Sequence, residues 1–176
     1  IDDVRKLPHE RKIAGELQAA LLPELPPSCP GLVVKKYYAS AWQESTVGGD
    51  FYDVYALDSH RTALCVGDVS GKGLAAATQV GALRHMLRAA LYLDHTLEQA
   101  VTDLNGMLTS RDLLAGFATL WVSIYDKSTR TLSYINCGQE AGLIKRAATG
   151  EIERYDPTGP IVGSFLNAEY VESRIT

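Results

Sequence analysis

Asp50 and Asp68 are the residues whose type and spacing suit chemistry. Each closes a Gly-Asp pair, in Val47-Gly48-Gly49-Asp50-Phe51-Tyr52-Asp53 and in Gly67-Asp68-Val69-Ser70-Gly71-Lys72-Gly73. Two apolar runs, 51–57 and 62–66, lie between them, joined by the polar Asp58-Ser59-His60-Arg61. That pattern predicts a β-hairpin with a longer loop. Asp50 stands just before the first strand and Asp68 just after the second, so antiparallel pairing should bring both carboxylates to one end of the hairpin. Flanking glycines let the backbone turn tightly beside a ligand. Converging carboxylates with backbone oxygens nearby suit a hard divalent cation such as Mg2+ or Mn2+. Taken singly, each Gly-Asp pair reads more simply as an ordinary turn. Their occurrence at matched ends of one hairpin favours the metal reading.

Competing motifs fit less well. Gly67 to Gly73 resembles a phosphate-binding P-loop, but it has three residues rather than four between glycines, and Gly73 replaces the hydroxyl residue that would hold Mg2+. Gly48-Gly49-Asp50-Phe51 resembles the diguanylate cyclase signature, a reading that leaves the second Gly-Asp pair unexplained and meets Phe51 where an acid is needed. The four histidines, His9, His60, His85 and His95, have no zinc-ligand spacing. No Gly-x-Ser-x-Gly elbow is present to support a serine hydrolase. Asp53 admits two readings. It could support the site from behind or, more commonly for such a residue, fix local backbone or face solvent.

A chain of 176 residues, 46% hydrophobic, is one domain's worth and can bury a real core. Its formal charge of −4, without a basic run, gives no support to nucleic-acid binding. Cys29, Cys65 and Cys137 are an odd, scattered set without a CxxC pair. Cys65 and Cys137 lie in apolar runs and read as small buried hydrophobes, which fits a reducing cytosol better than a disulfide scaffold. No stretch has the length and apolarity of a membrane span, and charges occupy the place of a signal peptide's apolar region. The expected setting is cytoplasmic.

The elements that must position the two aspartates follow from periodicity. Ile13, Leu17 and Leu21 predict a helix over 8–22, ended by Pro23 and the prolines after it. A Val- and Tyr-rich strand is expected over 32–41. After the hairpin, helices are expected over 74–93 and 96–109, the second opening with Thr96 as N-cap. The first would begin immediately after the Gly71-Lys72-Gly73 turn, so its N-terminus, which favours anions, would lie beside Asp68. From Gly116 the period changes, predicting strands over 117–125, 131–137, 141–145, 151–155 and 169–175, with 141–145 pairing with 151–155. Strands, then two helices, then strands argue for an α+β arrangement.

The two Gly-Asp motifs resemble those of the PPM-type metal-dependent protein serine/threonine phosphatases, in their bacterial SpoIIE/RsbU-like branch. The similarity extends to Leu17-Gln18-Ala19-Ala20-Leu21-Leu22-Pro23, Leu104-Asn105, Asn136-Cys137-Gly138 and Thr158-Gly159-Pro160-Ile161-Val162-Gly163, in that order. It implies a four-layer αββα sandwich, two antiparallel sheets flanked by helices. Residues 31–176 would be the phosphatase domain, and 1–30 an N-terminal helix and Pro-rich connector able to follow a sensor domain or form a homodimer. The resemblance also implies two divalent cations, Mn2+ or Mg2+, with Asp50 bridging them and Asp68 and the Val69 carbonyl as ligands. A metal-activated water would attack the phosphoserine or phosphothreonine of a regulatory protein, such as an anti-sigma factor antagonist, without a phosphoenzyme. Two departures bear on this. Gln139 stands where the branch has His. The family's further metal-binding aspartates fall beyond the position matching Ile175, so the chain is expected to be either a C-terminally incomplete piece of an enzyme or a degenerate regulatory module. With two carboxylates and a carbonyl, it should show little activity alone.

Overall fold

A computed structural model describes residues 22–38, 48–93, 96–110 and 114–176. The central hairpin is formed by β1 (Asp50–Ala56) and β2 (Arg61–Val69). Its turn is held by Asp58, whose Oδ1 accepts the backbone N–H groups of His60 and Arg61 while Arg61 Nε donates to Oδ2 at 2.6 Å. The Arg61 hydrogen bond and the two N–H donors draw the Asp58 carboxyl down to about 2. Helices α1 (Leu74–Tyr92) and α2 (Leu97–Ser110) follow. The expected cap is present, as part of a reciprocal box: Gln99 N–H donates to Thr96 Oγ1 and Thr96 N–H to Gln99 Oε1.

The chain then returns as β3 (Ala118–Asp126) and β4 (Thr131–Cys137). It finishes with a ribbon of β5 (Gly142–Lys145) and β6 (Ile152–Tyr155), and the short β7 (Ser173–Ile175). Five strands form one antiparallel sheet in the order β1-β2-β3-β4-β7, and β5 pairs with β6 as expected.

Alternation along the strands assigns the faces. Phe51, Tyr55, Ala63, Cys65, Val69, Leu120, Val122 and Ile135 point to one side. There they join Val80, Leu83 and Leu87 of α1 and Val101, Leu104 and Leu108 of α2 in a single buried cluster. Burial of such side chains contributes roughly 1.5–3 kcal/mol each and is the main force seating the helices. The opposite face carries Tyr52, Leu64, Val66 and Trp121. Trp121 stacks on Tyr134 with ring centroids 4.5 Å apart, and Tyr155 of β6 meets Tyr134 edge-on. The ribbon therefore covers part of that face, and the layers run helices, large sheet, ribbon. This is an α+β architecture with the helix-sheet-sheet order of the expected sandwich.

Three expectations need adjustment or fall elsewhere. The helix over 8–22 lies almost wholly outside the described residues. Of the strand expected over 32–41, residues 39–41 lie outside them too, and within 32–38 only Leu32 makes a bridge, with Cys29. Val33 and Tyr37 are 91% and 93% exposed, which gives the reason: β-propensity acts through a paired neighbour, and none is present among the described residues. The last strand is shorter than 169–175, because only Ser173–Ile175 reaches β4.

Candidate metal centre

The hairpin register sets Asp50 directly opposite Asp68. Val69 N–H donates to Gly49 O at 3.0 Å, so the next pair along, Asp50 and Asp68, occupies a non-hydrogen-bonded position, the kind that holds opposed side chains closest. Both residues are exposed, on the sheet face away from the helices. Partial burial, and secondarily the neighbouring Asp50 charge, raise the Asp68 carboxyl above its ordinary value. Asp50 also acts, after burial, to raise the Tyr38 phenol. Two carboxylates facing each other without a cation are electrostatically unfavourable and would be relieved by one.

The backbone beside them fits that requirement. A Cβ on Gly49 would fall 1.9 Å from the Val69 carbonyl oxygen and 2.7 Å from Asp68 Oδ1. A side chain at 49 would collide with that carbonyl, so glycine here lets the Val69 oxygen pack against the β1 backbone on the side of the Asp68 carboxylate. Hard oxygen donors of this kind suit Mg2+ or Mn2+. Among the described residues, no three or more His, Cys, Asp or Glu side chains gather elsewhere or here into a metal-binding group. Among the described residues, the candidate donors are thus the Asp50 and Asp68 carboxylates and the Val69 carbonyl.

The turn after Asp68 is tied to the start of β3. Ser70 N–H donates to Phe117 O at 2.8 Å and Phe117 N–H donates to Ser70 Oγ at 2.9 Å. Gly73, at φ 83°, caps α1 without a side-chain hydrogen bond, so the helix begins just beyond the turn with its N-terminal dipole unneutralised by a capping side chain. Ser70 was not singled out by sequence reasoning. Its place inside Gly67-Asp68-Val69-Ser70-Gly71 was the signal.

Asp53 does not join the pair. Three residues past Asp50, it points to the helix face, where it is 1% exposed. Arg88 of α1 donates to it through Nη2 at 2.5 Å and Nε at 3.2 Å, Arg84 Nε lies 3.6 Å away, and Val54 N–H donates to its Oδ1. It therefore fixes local backbone and ties β1 to α1 rather than facing solvent. Arg84 and Arg88, spaced i, i+4, were the unread sequence signal. The Cys65 and Cys137 thiols, buried as expected, are pushed up to about 12 by burial and stay protonated at neutral pH. His60 sits at the hairpin turn near Ser128 and His85 is exposed on α1, while His9 and His95 lie outside the described residues.

Comparison with known proteins bears on this geometry. The family profile of stage II sporulation protein E (SpoIIE) matches residues 58–176, a stretch that includes Asp68 and Val69. Protein IcfG of Synechocystis sp. (strain ATCC 27184 / PCC 6803 / Kazusa) is 31% identical over 173 residues, covering 83% of this chain and 27% of IcfG. The RsbU and RsbW domains of Rv1364c from Mycobacterium tuberculosis superimpose with a TM-score of 0.62 at 25% identity, over 76% of this chain and 37% of that one. The PP2C phosphatase domain and regulatory fragment of SpoIIE from Bacillus subtilis share the fold, with a TM-score of 0.57 at 21% identity over 73% of this chain and 38% of that one. This chain thus spans about a quarter of IcfG and little more than a third of either solved chain. With the profile match extending over well more than half its length, the chain belongs to the SpoIIE family of PPM-type phosphatase domains.

Proposed function

We propose that the protein containing this chain hydrolyses phosphoserine or phosphothreonine on a regulatory protein, of the anti-sigma factor antagonist kind, at a metal centre built on Asp50, Asp68 and the Val69 carbonyl. The observation that carries this reading is the direct opposition of Asp50 and Asp68 across β1 and β2. Residues 31–176 would form the catalytic unit. Residues 1–30 would be the connector through which a sensor domain or a second copy acts.

The chain's own residues have separable tasks. Asp50 and Asp68 hold negative charge at one end of the sheet, on the solvent side, where a phosphorylated side chain can approach. Asp50, Asp68 and the Val69 carbonyl would hold the divalent cations. Bound Mn2+ or Mg2+ supplies Lewis acidity, polarising both the attacking water and the phosphoryl oxygens. The uncapped N-terminus of α1 adds a fixed positive dipole that favours the phosphoryl group. Buried Cys65 and Cys137, protonated at neutral pH, are unsuited to nucleophilic attack.

A second reading, a regulatory module that keeps the fold without turnover, is favoured by one observation: among the described residues no third acidic side chain joins the pair. Two carboxylates and a carbonyl bind a cation weakly, so residues 1–176 alone should turn over poorly. The deciding experiment is Mn2+-dependent hydrolysis of p-nitrophenyl phosphate by the full-length protein. Activity abolished by Asp50→Asn and by Asp68→Asn supports the enzyme. Turnover indifferent to both changes, or absent from the wild type, favours the regulatory module.

A further inference from the structure

We propose that Ser70 is a positioning residue for the Val69 carbonyl, holding that oxygen turned toward β1, against Gly49 and on the side of the Asp68 carboxylate. The proposal rests on the reading of Asp68 and the Val69 carbonyl as cation ligands and adds a residue that acts through the second of them.

The geometry is that of one rigid plane. The Val69 C=O and the Ser70 N–H belong to the same peptide unit, and in a planar trans peptide they point in opposite directions. The Ser70 N–H is directed to Phe117 O, on the β3 side, at 2.8 Å. The Val69 oxygen is thereby turned toward β1, where it lies against Gly49 and beside Asp68 Oδ1. The Ser70 hydroxyl supplies a second arm by accepting the Phe117 N–H at 2.9 Å. Two bonds between the same pair of residues resist the rotation about the strand axis that a single bond would permit.

Phe117 is itself a firm anchor. The adjoining Ala118 exchanges both backbone bonds with Val162, at 2.9 and 3.0 Å, and Gly163 N–H donates to the buried Asn105 Oδ1 of α2 at 2.9 Å. Gly116 is shaped to the hydroxyl. A Cβ there would lie 2.3 Å from Ser70 Oγ, and its φ of 154° already disfavours a side chain. The paired strands end at Val69 and Ala118, so Ser70 braces the chain just where ladder support stops. Partners that orient a metal ligand without touching the metal commonly change affinity by about 10–100-fold when removed.

The test is Mn2+ binding to the full-length protein, read from the paramagnetic resonance signal of free Mn2+, which reports affinity without turnover. Ser70→Ala should weaken binding about tenfold, the low end of that range because the Ser70 N–H bond survives. Ser70→Thr, which retains the hydroxyl, should bind as the wild type does. Gly116→Ala, which displaces the hydroxyl, should weaken binding as Ser70→Ala does. Hydrogen exchange at the Phe117 amide should accelerate in Ser70→Ala, while the metal-free unfolding midpoint moves by only a few degrees. Wild-type Mn2+ affinity in Ser70→Ala, with weakened binding in Asp68→Asn, overturns the role of Ser70 alone. Unchanged affinity in Asp68→Asn as well removes the ligand reading beneath it.

Discussion

Strand β1 carries two aspartates three residues apart, and they live in opposite surroundings. Asp53 faces the helices, is nearly inaccessible, and receives a two-pronged contact from Arg88 with Arg84 close by. Asp50 faces the other way, is exposed, and has another carboxylate directly across from it. The odd separation forces this division, because successive side chains of a strand alternate. Where the fold needs a carboxylate for cohesion it neutralises the charge. Where two acids stand opposed, their like charges work against stability, a pattern in keeping with the functional role proposed for them.

The largest expected effect sharpens that contrast through activity. Asp50→Asn or Asp68→Asn should lower Mn2+-dependent turnover of the full-length protein by roughly a hundredfold or more, the several kcal/mol a cation contributes to a charged transition state. The metal-free unfolding midpoint should stay level or rise, since each change removes a like-charge contact. A marked fall in that midpoint would mean that Asp50 and Asp68 serve the fold after all.

Asp53→Asn should do the reverse, reducing stability while leaving Mn2+ affinity near wild type. Breaking a buried ion pair from one side costs about 3–5 kcal/mol, and the lower end applies because the Arg88 side chain is 34% exposed. For a chain of this size about 3 kcal/mol is a drop of roughly 6–12 °C in midpoint. Arg88→Met should cost more than Arg84→Met, given 2.5 Å against 3.6 Å to the carboxylate. Arg88 also lies 4.3 Å from the Tyr55 ring centroid, so Arg88→Lys should recover only part of the loss. Urea unfolding of these variants, including the Asp53→Asn/Arg88→Met double, would read the coupling directly.

A smaller effect concerns Cys65, which pairs with Asp53 across the hairpin on the helix side. Burial, and after it the Asp53 charge, push its thiol up to about 12. In the native protein at pH 8, iodoacetamide should therefore modify half-buried Cys29 well before Cys65 or Cys137. Asp53→Asn should speed labelling of Cys65, both by removing that charge and by loosening the contact with α1. Equal rates in the two proteins would show that Asp53 does not hold this face closed.

The contrast between the two aspartates was half legible in the sequence. The Asp50–Asp68 opposition could be read because it is local: two strands, a short polar turn and a period of two dictate which ends meet. The two helices after the hairpin and the later strands were also legible, within a residue or two for most ends, since apolar spacing reports a buried face directly. The Asp53 ion pair was not, because its main partner, Arg88, lies 35 residues away on a helix whose rotation only tertiary packing decides. Within 32–38, the described part of the strand expected over 32–41, no strand formed for a related reason. Val33, Val34 and Tyr37 have the composition of a strand, but composition cannot say whether a neighbour will be there to pair.

The smallest expected effect is a pH dependence that separates the Asp50 side from the rest of the chain. Partial burial and then Asp50 raise the Asp68 carboxyl above 3.8, the value that represents it in the unfolded chain. The folded protein thus binds this proton more tightly than the unfolded one does. Stability contributed by the protonated form is fully present below about pH 3.8. It is lost as pH rises through the folded-state pKa, and the ionised pair remains a small liability at neutral pH. In the metal-free protein, the Asp68→Asn variant should accordingly gain on wild type as pH increases from 3.5 to 6, because an amide has no proton to lose. Excess Mn2+ should erase that difference at neutral pH by stabilising only the chain that retains the carboxylate. Thermal unfolding across that range, with and without Mn2+, reads both effects. Parallel curves for the two proteins would show that Asp50 and Asp68 do not feel each other, and the two sides of β1 would then differ in burial alone.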